Sequence, residues 1–368
     1  MNTPRDRAGG LPGGGHAGAD HWFRLSVSQI QQLTADAVAV TLHVPTSLAA
    51  VFAFRAGQHV TVRHRGWEQQ KLYRTYSVCP PPSEPDALRL VVARASPGGF
   101  GSYALTSLTV GEQLELSRPT GQFGLSPAAH HVLIAGGTGI AAMAVMASAA
   151  LRDGFACRVS VIHAVRSSAD ALLADELAEI KNAHMDRFTA VYVLSQERRA
   201  SALTGGRLDQ NMLLALLKGL DTRQDTAFRV CGPRGLLDVT RTALAAFGAC
   251  PDKIRSETFS GLDVPQALAT HSTDDPDRQF RAVIGGHSSL VSMLPHDEVC
   301  LDALLRDRPE VPYACRNGVC GSCRAKVVAG SASLNSQQAL SIADIAAGYT
   351  LACRAVPRAA GLTLDFDA

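Results

Sequence analysis

Four of the nine cysteines are grouped near the end of the chain in a spacing that suits a metal cluster. Cys315, Cys320 and Cys323 follow the pattern C-x4-C-x2-C, and Cys353 stands thirty residues after the third. Thiolates hold ferric iron, and this spacing is that of plant-type 2Fe–2S clusters. Structural zinc also accepts four cysteines, but usually through two similar C-x2-4-C pairs. Three ligands in a single loop therefore favour the iron–sulfur cluster over zinc.

The remaining five cysteines have no such spacing: Cys79, Cys157, Cys231, Cys250 and Cys300. Most of them are expected to be small buried apolar side chains. An odd cysteine count, without the apolar stretch of a secretory signal, does not indicate a disulfide framework. These features predict a reducing compartment, the cytoplasm.

A second candidate site is a glycine turn between an apolar strand at 132–135 and an apolar helix at 140–151. A dinucleotide pyrophosphate binds at such a turn, where the helix begins. The same window is long enough to cross a bilayer, but the glycines interrupt it. A buried strand and a buried helix, without a membrane segment, are therefore predicted. The turn consists of Gly136, Gly137, Thr138 and Gly139.

A third candidate site combines a predicted strand with a predicted helix start. Strand alternation puts Arg74 and Tyr76 on one side, and Thr75 and Ser77 on the other. A helix predicted at 102–108 would offer unpaired N–H groups, which suit a pyrophosphate. Its start carries Gly99, Phe100, Gly101 and Ser102.

The elements that must position these residues change in pattern along the chain. Residues 22–127 carry short strands separated by turns, which predicts a small antiparallel β-barrel. In residues 128–260, apolar strands alternate with helices, which predicts an α/β domain with a doubly wound parallel sheet; the helices include those predicted at 170–184 and 234–247. A hairpin signal follows in a small α+β unit, 277–368. A glycine-rich disordered tail (1–21) and a polar linker (261–276) complete the prediction.

The overall composition excludes several classes of protein. Of the 368 residues, 46% are hydrophobic and 18% charged, which suffices for full cores and excludes a wholly disordered chain. The net charge is +2, without the basic stripe that would indicate nucleic acid or an anionic membrane as a partner.

The three regions resemble known redox modules. The last region resembles a plant-type ferredoxin domain, and the first two resemble the ferredoxin–NADP reductase superfamily through R-x-Y-S, G-F-G-S, G-G-T-G-I and C-G-P. That resemblance implies that Arg74 binds the FAD phosphates, that Tyr76 packs on the flavin, and that Ser77 lies near flavin N5. It places the FAD pyrophosphate at Gly99, Gly101 and Ser102.

The same resemblance assigns the glycine turn and a second loop to NAD(P)H. Nicotinamide would lie beside the loop Cys231, Gly232 and Pro233, and Phe259 would be the aromatic residue near the flavin face. A plain buried thiol and a plain hydrophobic contact are the alternatives for Cys231 and Phe259. Arg166 would lie near the adenosine ribose, and Arg198 or Arg199 could bind a 2′-phosphate or be surface residues. NADPH and NADH therefore both stay open.

The order of the modules resembles reductase components of multicomponent oxygenases, most closely the phenylacetyl-CoA epoxidase type and then the steroid 9α-hydroxylase type. It implies that a hydride from NAD(P)H reaches FAD and that single electrons pass through the cluster to an oxygenase, because a 2Fe–2S centre accepts one electron at a time. The alternatives are a reductase for another acceptor and a redox-sensing binding protein.

Overall fold

The computed structural model of the protein describes residues 22–65, 71–79, 86–94, 99–152, 157–220, 225–258, 279–295, 297–308, 311–313, 316, 318, 321–334, 337 and 339–368. The predicted tail and linker, together with Phe259, Cys315 and Cys320, lie outside the described residues.

The first region is a closed antiparallel barrel of six strands in the order β1-β2-β5-β4-β3-β6, as predicted. Val60 and Val62 of β3 face the barrel interior. Because side chains alternate along a strand, His59 and Thr61 face outward. The predicted helix begins two residues earlier than expected, at Phe100. The elements are β1 (Phe23–Thr34), β2 (Ala37–His43), α1 (Ala49–Phe52), β3 (His59–Arg65), β4 (Lys71–Cys79), β5 (Ala87–Ala93), α2 (Phe100–Thr106) and β6 (Gln113–Leu116).

The second region is a five-stranded parallel sheet in the order β11-β10-β7-β8-β9, which confirms the predicted α/β fold. Strand β7 is buried along its whole length, as expected for a strand with neighbours on both sides in a parallel sheet. No helix among the described residues has the length and apolar character needed to cross a membrane. The elements are β7 (His130–Gly136), α3 (Ile140–Arg152), β8 (Arg158–Val165), α4 (Ala174–Ala183), β9 (Phe188–Leu194), α5 (Gln210–Gly219), β10 (Thr226–Gly232), α6 (Arg234–Phe247) and β11 (Ile254–Thr258).

The third region contains a mixed sheet in the order β13-β12-β18-β14-β16 and a two-stranded sheet, β15-β17. Its last strand, β18, pairs in parallel with β12 and antiparallel with β14, so it lies in the interior of the sheet. The elements are β12 (Gln279–Ile284), β13 (His287–Ser292), α7 (Cys300–Asp307), β14 (Arg324–Ala329), β15 (Ala332–Leu334), α8 (Ile342–Ala346), β16 (Tyr349–Leu351), β17 (Ala355–Pro357) and β18 (Leu362–Asp365).

A buried arginine of β10 ties the parallel sheet to the segment that leaves the barrel. Arg229 is 1% exposed, and its guanidinium donates to the carbonyl of Gly124 at 2.7 Å and the hydroxyl of Ser126 at 2.9 Å. It also donates to the carbonyl of Phe228 at 2.9 Å. Burial lowers the pKa of Arg229 to about 10, so the side chain stays charged at neutral pH.

We expect Arg229→Leu to lower the stability of the protein by about 2–4 kcal/mol, because it leaves buried carbonyl groups without donors. Thermal unfolding of the FAD-loaded protein measures this loss. The control is Arg241→Leu, since Arg241 is 78% exposed and pairs only with nearby Asp238 among the described residues; its effect should stay within about 0.5 kcal/mol. Equal melting temperatures for the two variants would contradict this role.

Candidate functional site

Two loops lie side by side at the carboxyl ends of the neighbouring strands β7 and β10, where the order of strands in the parallel sheet reverses. In open α/β sheets, ligands bind in the crevice outside the strand ends at such a point. A Cβ on Gly139 would lie 2.3 Å from the carbonyl oxygen of Cys231, so the loops approach too closely for a side chain there. Gly137 has φ +55°, and a Cβ on it would meet nothing within 4 Å, so this residue borders open space.

A cavity of about 720 Å³ opens outside these strand ends and extends to the barrel. Its lining comes from the ends of β7, β8 and β9, from the start of α6, and from the β1–β2 turn and the end of β5. Of the residues predicted to bind the nucleotide, five line the cavity: Gly136, Gly137, Thr138, Arg166 and Pro233. Three others are buried and absent from the cavity lining: Gly139, Cys231 and Gly232.

The outward face of β3 and β4 carries buried polar side chains. His59 pairs with Ser77 and Thr61 pairs with Thr75 across the two strands. The hydroxyl oxygens of Thr75 and Ser77 are buried and have no hydrogen-bond partner among the described residues. Because a buried hydroxyl without a partner costs about 1–3 kcal/mol, this face fits a ligand with a polar edge, such as a flavin ring.

The other predicted flavin residues lie nearby on β4 and α2. The ring of Tyr76 lies 5.8 Å from that of Phe100, and burial raises the pKa of Tyr76 above its usual value. Gly99 caps α2, and Ser102 lies in its first turn. A Cβ on Gly101 would be 2.1 Å from the carbonyl oxygen of Ala93, so this glycine lets α2 pack on the end of β5. The FAD pyrophosphate contact at α2 stays a prediction.

A buried pair that sequence reasoning missed joins the barrel to the parallel sheet. His59 Nδ1 lies 3.5 Å from Glu257 Oε1, and both side chains are at most 5% exposed. Glu257 is the partner of Cys231 in the β10–β11 pairing. Burial, and then the charge of Glu257, raise the pKa of the Cys231 thiol well above its usual value, which keeps it protonated. The signal that pointed to His59 was its position in the strand that pairs with the R-x-Y-S strand, where it lies opposite Ser77.

The cysteine loop of the third region has the features of a cluster-binding loop. Cys323 and Cys353 are buried, and the backbone N–H of Cys353 donates to Cys323 Sγ at 3.5 Å. Gly318 and Gly321 have φ +73° and +74°, a conformation that favours glycine. Sulfur donors in such a loop fit a 2Fe–2S cluster. The other two predicted ligands lie outside the described residues.

The cysteine loop lies against the barrel at the two strands just described. The hydroxyl of Ser322, next to Cys323, is 3.4 Å from the hydroxyl of Thr61. Arg74 Cζ lies 5.9 Å from the centre of the Tyr313 ring, a cation–π contact. Strands β3 and β4 therefore contact both the cysteine loop, through Thr61, and the parallel sheet, through His59 and Glu257.

Comparison with known proteins identifies the same three modules. Residues 24–124 match the oxidoreductase FAD-binding domain, 133–242 the oxidoreductase NAD-binding domain, and 290–358 the 2Fe-2S iron-sulfur cluster binding domain. The chain is 32% identical over 353 residues to a component of the 1,2-phenylacetyl-CoA epoxidase of Escherichia coli, covering 94% of this chain and 97% of that protein.

Two further similarities extend over nearly the whole chain. The ferredoxin reductase component of the 3-ketosteroid-9-alpha-monooxygenase of Rhodococcus rhodochrous is 28% identical over 349 residues, covering 93% of this chain and 96% of that one. The structure of phthalate dioxygenase reductase has the same fold, with a TM-score of 0.58 and 22% identity over 94% of this chain and 98% of that chain.

We expect Ser77→Ala to have opposite effects on the FAD-free and FAD-loaded protein. It removes a buried hydroxyl without a partner, so the FAD-free form should gain up to about 1 kcal/mol, while FAD affinity should fall roughly 10-fold. Thermal unfolding and fluorescence titration with FAD measure the two effects. Ser28→Ala is the control, because Ser28 donates to a backbone carbonyl elsewhere in the barrel. A loss of stability with unchanged FAD affinity would contradict the assignment.

We expect Cys320→Ser and Cys323→Ser to abolish the visible absorbance of the cluster and electron transfer to one-electron protein acceptors. Ferricyanide reduction by the flavin should survive, because the barrel and the parallel sheet are unchanged. Cys250→Ser is the control, since Cys250 is an exposed thiol outside the loop. A full cluster content in either loop variant would refute the ligand assignment.

Proposed function

Because the chain belongs to the family of oxygenase reductases with FAD-binding, NAD-binding and 2Fe–2S domains, we propose that it oxidises NAD(P)H and delivers single electrons to a di-iron oxygenase that epoxidises phenylacetyl-CoA. The observation that supports this proposal is that the barrel, the cysteine loop and the parallel sheet meet at β3 and β4. The face with unpartnered hydroxyls, the Ser322–Thr61 contact and the His59–Glu257 pair all lie on these two strands.

The choice of phenylacetyl-CoA rests on relatedness along the whole chain. Over an alignment that spans all three modules, the chain is 32% identical to the Escherichia coli epoxidase component. The corresponding identity to the steroid monooxygenase component is 28%. The oxygenase partner and its substrate are proposed for this chain from that similarity.

The glycine turn and the Cys231 loop would bind the nucleotide. Backbone N–H groups of Gly137 and Thr138 would hold the pyrophosphate at the start of α3. The thiol of Cys231 would pack beside the nicotinamide. Because its pKa is raised, the thiol is protonated and would present an uncharged surface to the ring. Pro233, which lines the cavity, would shape the same end.

The face of β3 and β4 would bind the flavin, with Phe259 as the aromatic residue at its ring. Thr75 and Ser77 would donate hydrogen bonds to the polar edge of the ring, while Tyr76 and Arg74, on the opposite side of β4, would pack beside the ring and bind the phosphates. FAD, when bound, accepts a hydride and gives up its electrons singly, which matches a two-electron donor to a one-electron acceptor. The buried His59–Glu257 pair would close this site against water.

Cys315, Cys320, Cys323 and Cys353 would hold the 2Fe–2S cluster. The packing of Ser322 on Thr61 would keep the cysteine loop close to the flavin face, where a short path favours electron transfer. The N–H of Cys353 would donate to the Cys323 thiolate and so contribute to the potential of the cluster.

The proposal predicts that the protein supports turnover by the purified oxygenase components that act on phenylacetyl-CoA. Consumption of phenylacetyl-CoA should depend on NAD(P)H and on this protein, and should stop with Cys320→Ser although that variant still reduces ferricyanide. Rapid reduction of cytochrome c without coupling to this oxygenase would refute the partner and indicate another acceptor. Slow NAD(P)H oxidation with every artificial acceptor would refute the reductase function and favour a redox sensor.

A further inference from the structure

Arg316, in the cysteine loop, has a backbone conformation that residues other than glycine rarely adopt. Its φ is +53°, and among the described residues the only other non-glycine residue with a positive φ is Leu173. In this left-handed region the Cβ atom approaches the following carbonyl oxygen, so an arginine stays there only where its surroundings hold it. Arg316 directly follows Cys315, the first predicted ligand, and its backbone therefore sets the direction in which the chain leaves that ligand.

The contact that holds Arg316 is an ion pair with Asp302 of α7. Arg316 Nη2 donates to Asp302 Oδ1 at 2.6 Å, and the two side chains are only 22% and 16% exposed. Asp302 Oδ2 accepts from the backbone N–H groups of Glu298 and Val299, at 3.1 and 3.2 Å. The start of α7 therefore fixes the carboxylate, and the carboxylate fixes Arg316.

The same end of α7 is attached to the segment that carries the last predicted ligand. The N–H of Leu301 donates to the carbonyl of Ala352 at 3.0 Å, and Ala352 directly precedes Cys353. All three residues are buried in the core of the third region. One residue further along α7, Asp302 holds Arg316. Two successive residues of one helix are thus attached to the chain beside the first and the last predicted ligands.

We propose that Arg316 and Asp302 are positioning residues of the 2Fe–2S cluster, and that their ion pair sets the reduction potential of the cluster as well as its retention. One added electron makes a cluster one unit more negative, so an unbalanced cation nearby favours the reduced state and an unbalanced carboxylate the oxidised state. In the wild type the two charges balance each other. This inference rests on the proposed four-cysteine site but not on the nucleotide or the oxygenase.

The test is a redox titration of the full-length, FAD-loaded protein with dithionite and mediators, in which the EPR signal of the reduced cluster gives the midpoint potential. Arg316→Gln leaves the carboxylate unbalanced, so the potential should become more negative. Asp302→Asn leaves the guanidinium unbalanced, so the potential should become less negative. The asparagine oxygen can still accept from the N–H groups at the start of α7. The double variant should lie between the two single variants.

The matched control is Arg306→Gln, because Arg306 forms the other ion pair of α7 away from the cysteine loop. Arg306 Nη1 lies 3.0 Å from Asp297 Oδ2, and Arg306 Nη2 donates to the carbonyl of Ser292 at 2.6 Å. Ser292 ends β13, which forms the edge of the sheet opposite β16. Arg306→Gln should keep the midpoint potential of the wild type.

Three outcomes would overturn the proposal: unchanged potentials in both single variants at Arg316 and Asp302, shifts of the same sign in both, or an equal shift in Arg306→Gln. If Arg316→Gln holds too little cluster for a titration, iron and sulfide analysis decides. Arg316→Lys keeps the charge and should restore the cluster content, and an equally depleted lysine variant would also overturn the proposal. Wild-type protein that binds no iron would instead refute the proposed cluster itself.

Discussion

The ladder between β3 and β4 joins the barrel to both the cysteine loop and the parallel sheet. Because side chains alternate along a strand, the pairing of His59 with Ser77 and of Thr61 with Thr75 puts four polar groups on the outward face. A slip of one residue would turn this set into the barrel interior and the valines outward. The hydrophobic interior therefore fixes the register, and the register fixes which groups meet the cysteine loop and the parallel sheet and which face the proposed flavin site.

Polar contacts between regions then set the spacing of the sites. Arg229 attaches the parallel sheet to the segment after the barrel, while His59 and Glu257 meet across the same boundary. Both contacts are buried, where a polar group that loses its partner is costly, so separation of the two regions is opposed. The contact of Ser322 with Thr61 joins two hydroxyl groups at 3.4 Å and carries no such penalty. The position of the barrel relative to the parallel sheet is therefore more strongly constrained than its position relative to the cysteine loop.

Local signals predicted much of the fold. The strand predicted at 132–135 spans His130–Gly136, and the helix predicted at 234–247 spans Arg234–Phe247, because apolar runs and flanking turn residues act over short distances. Strand β1 was not predicted, since much of it is exposed and its pairing with β2 and β6 stabilises it. The helix predicted at 170–184 begins only at Ala174.

Site residues could be predicted from the sequence only where they belong to one continuous motif. The glycine turn and the cysteine spacing are continuous in sequence, whereas the His59–Glu257 pair joins residues from two domains. Long-range contacts of this kind follow from topology, which a single sequence does not encode locally. Arg198 and Arg199, which the sequence offered for a 2′-phosphate, are exposed and absent from the cavity lining.

The position of β18 has a consequence for biosynthesis. This strand lies between β12 and β14 and pairs with both of them, yet it is made after Cys353. The sheet beside Cys323 and Cys353 can therefore close only after residues 362–365 have been made, so the contacts that position these two cysteines form after the cysteines themselves have been synthesised.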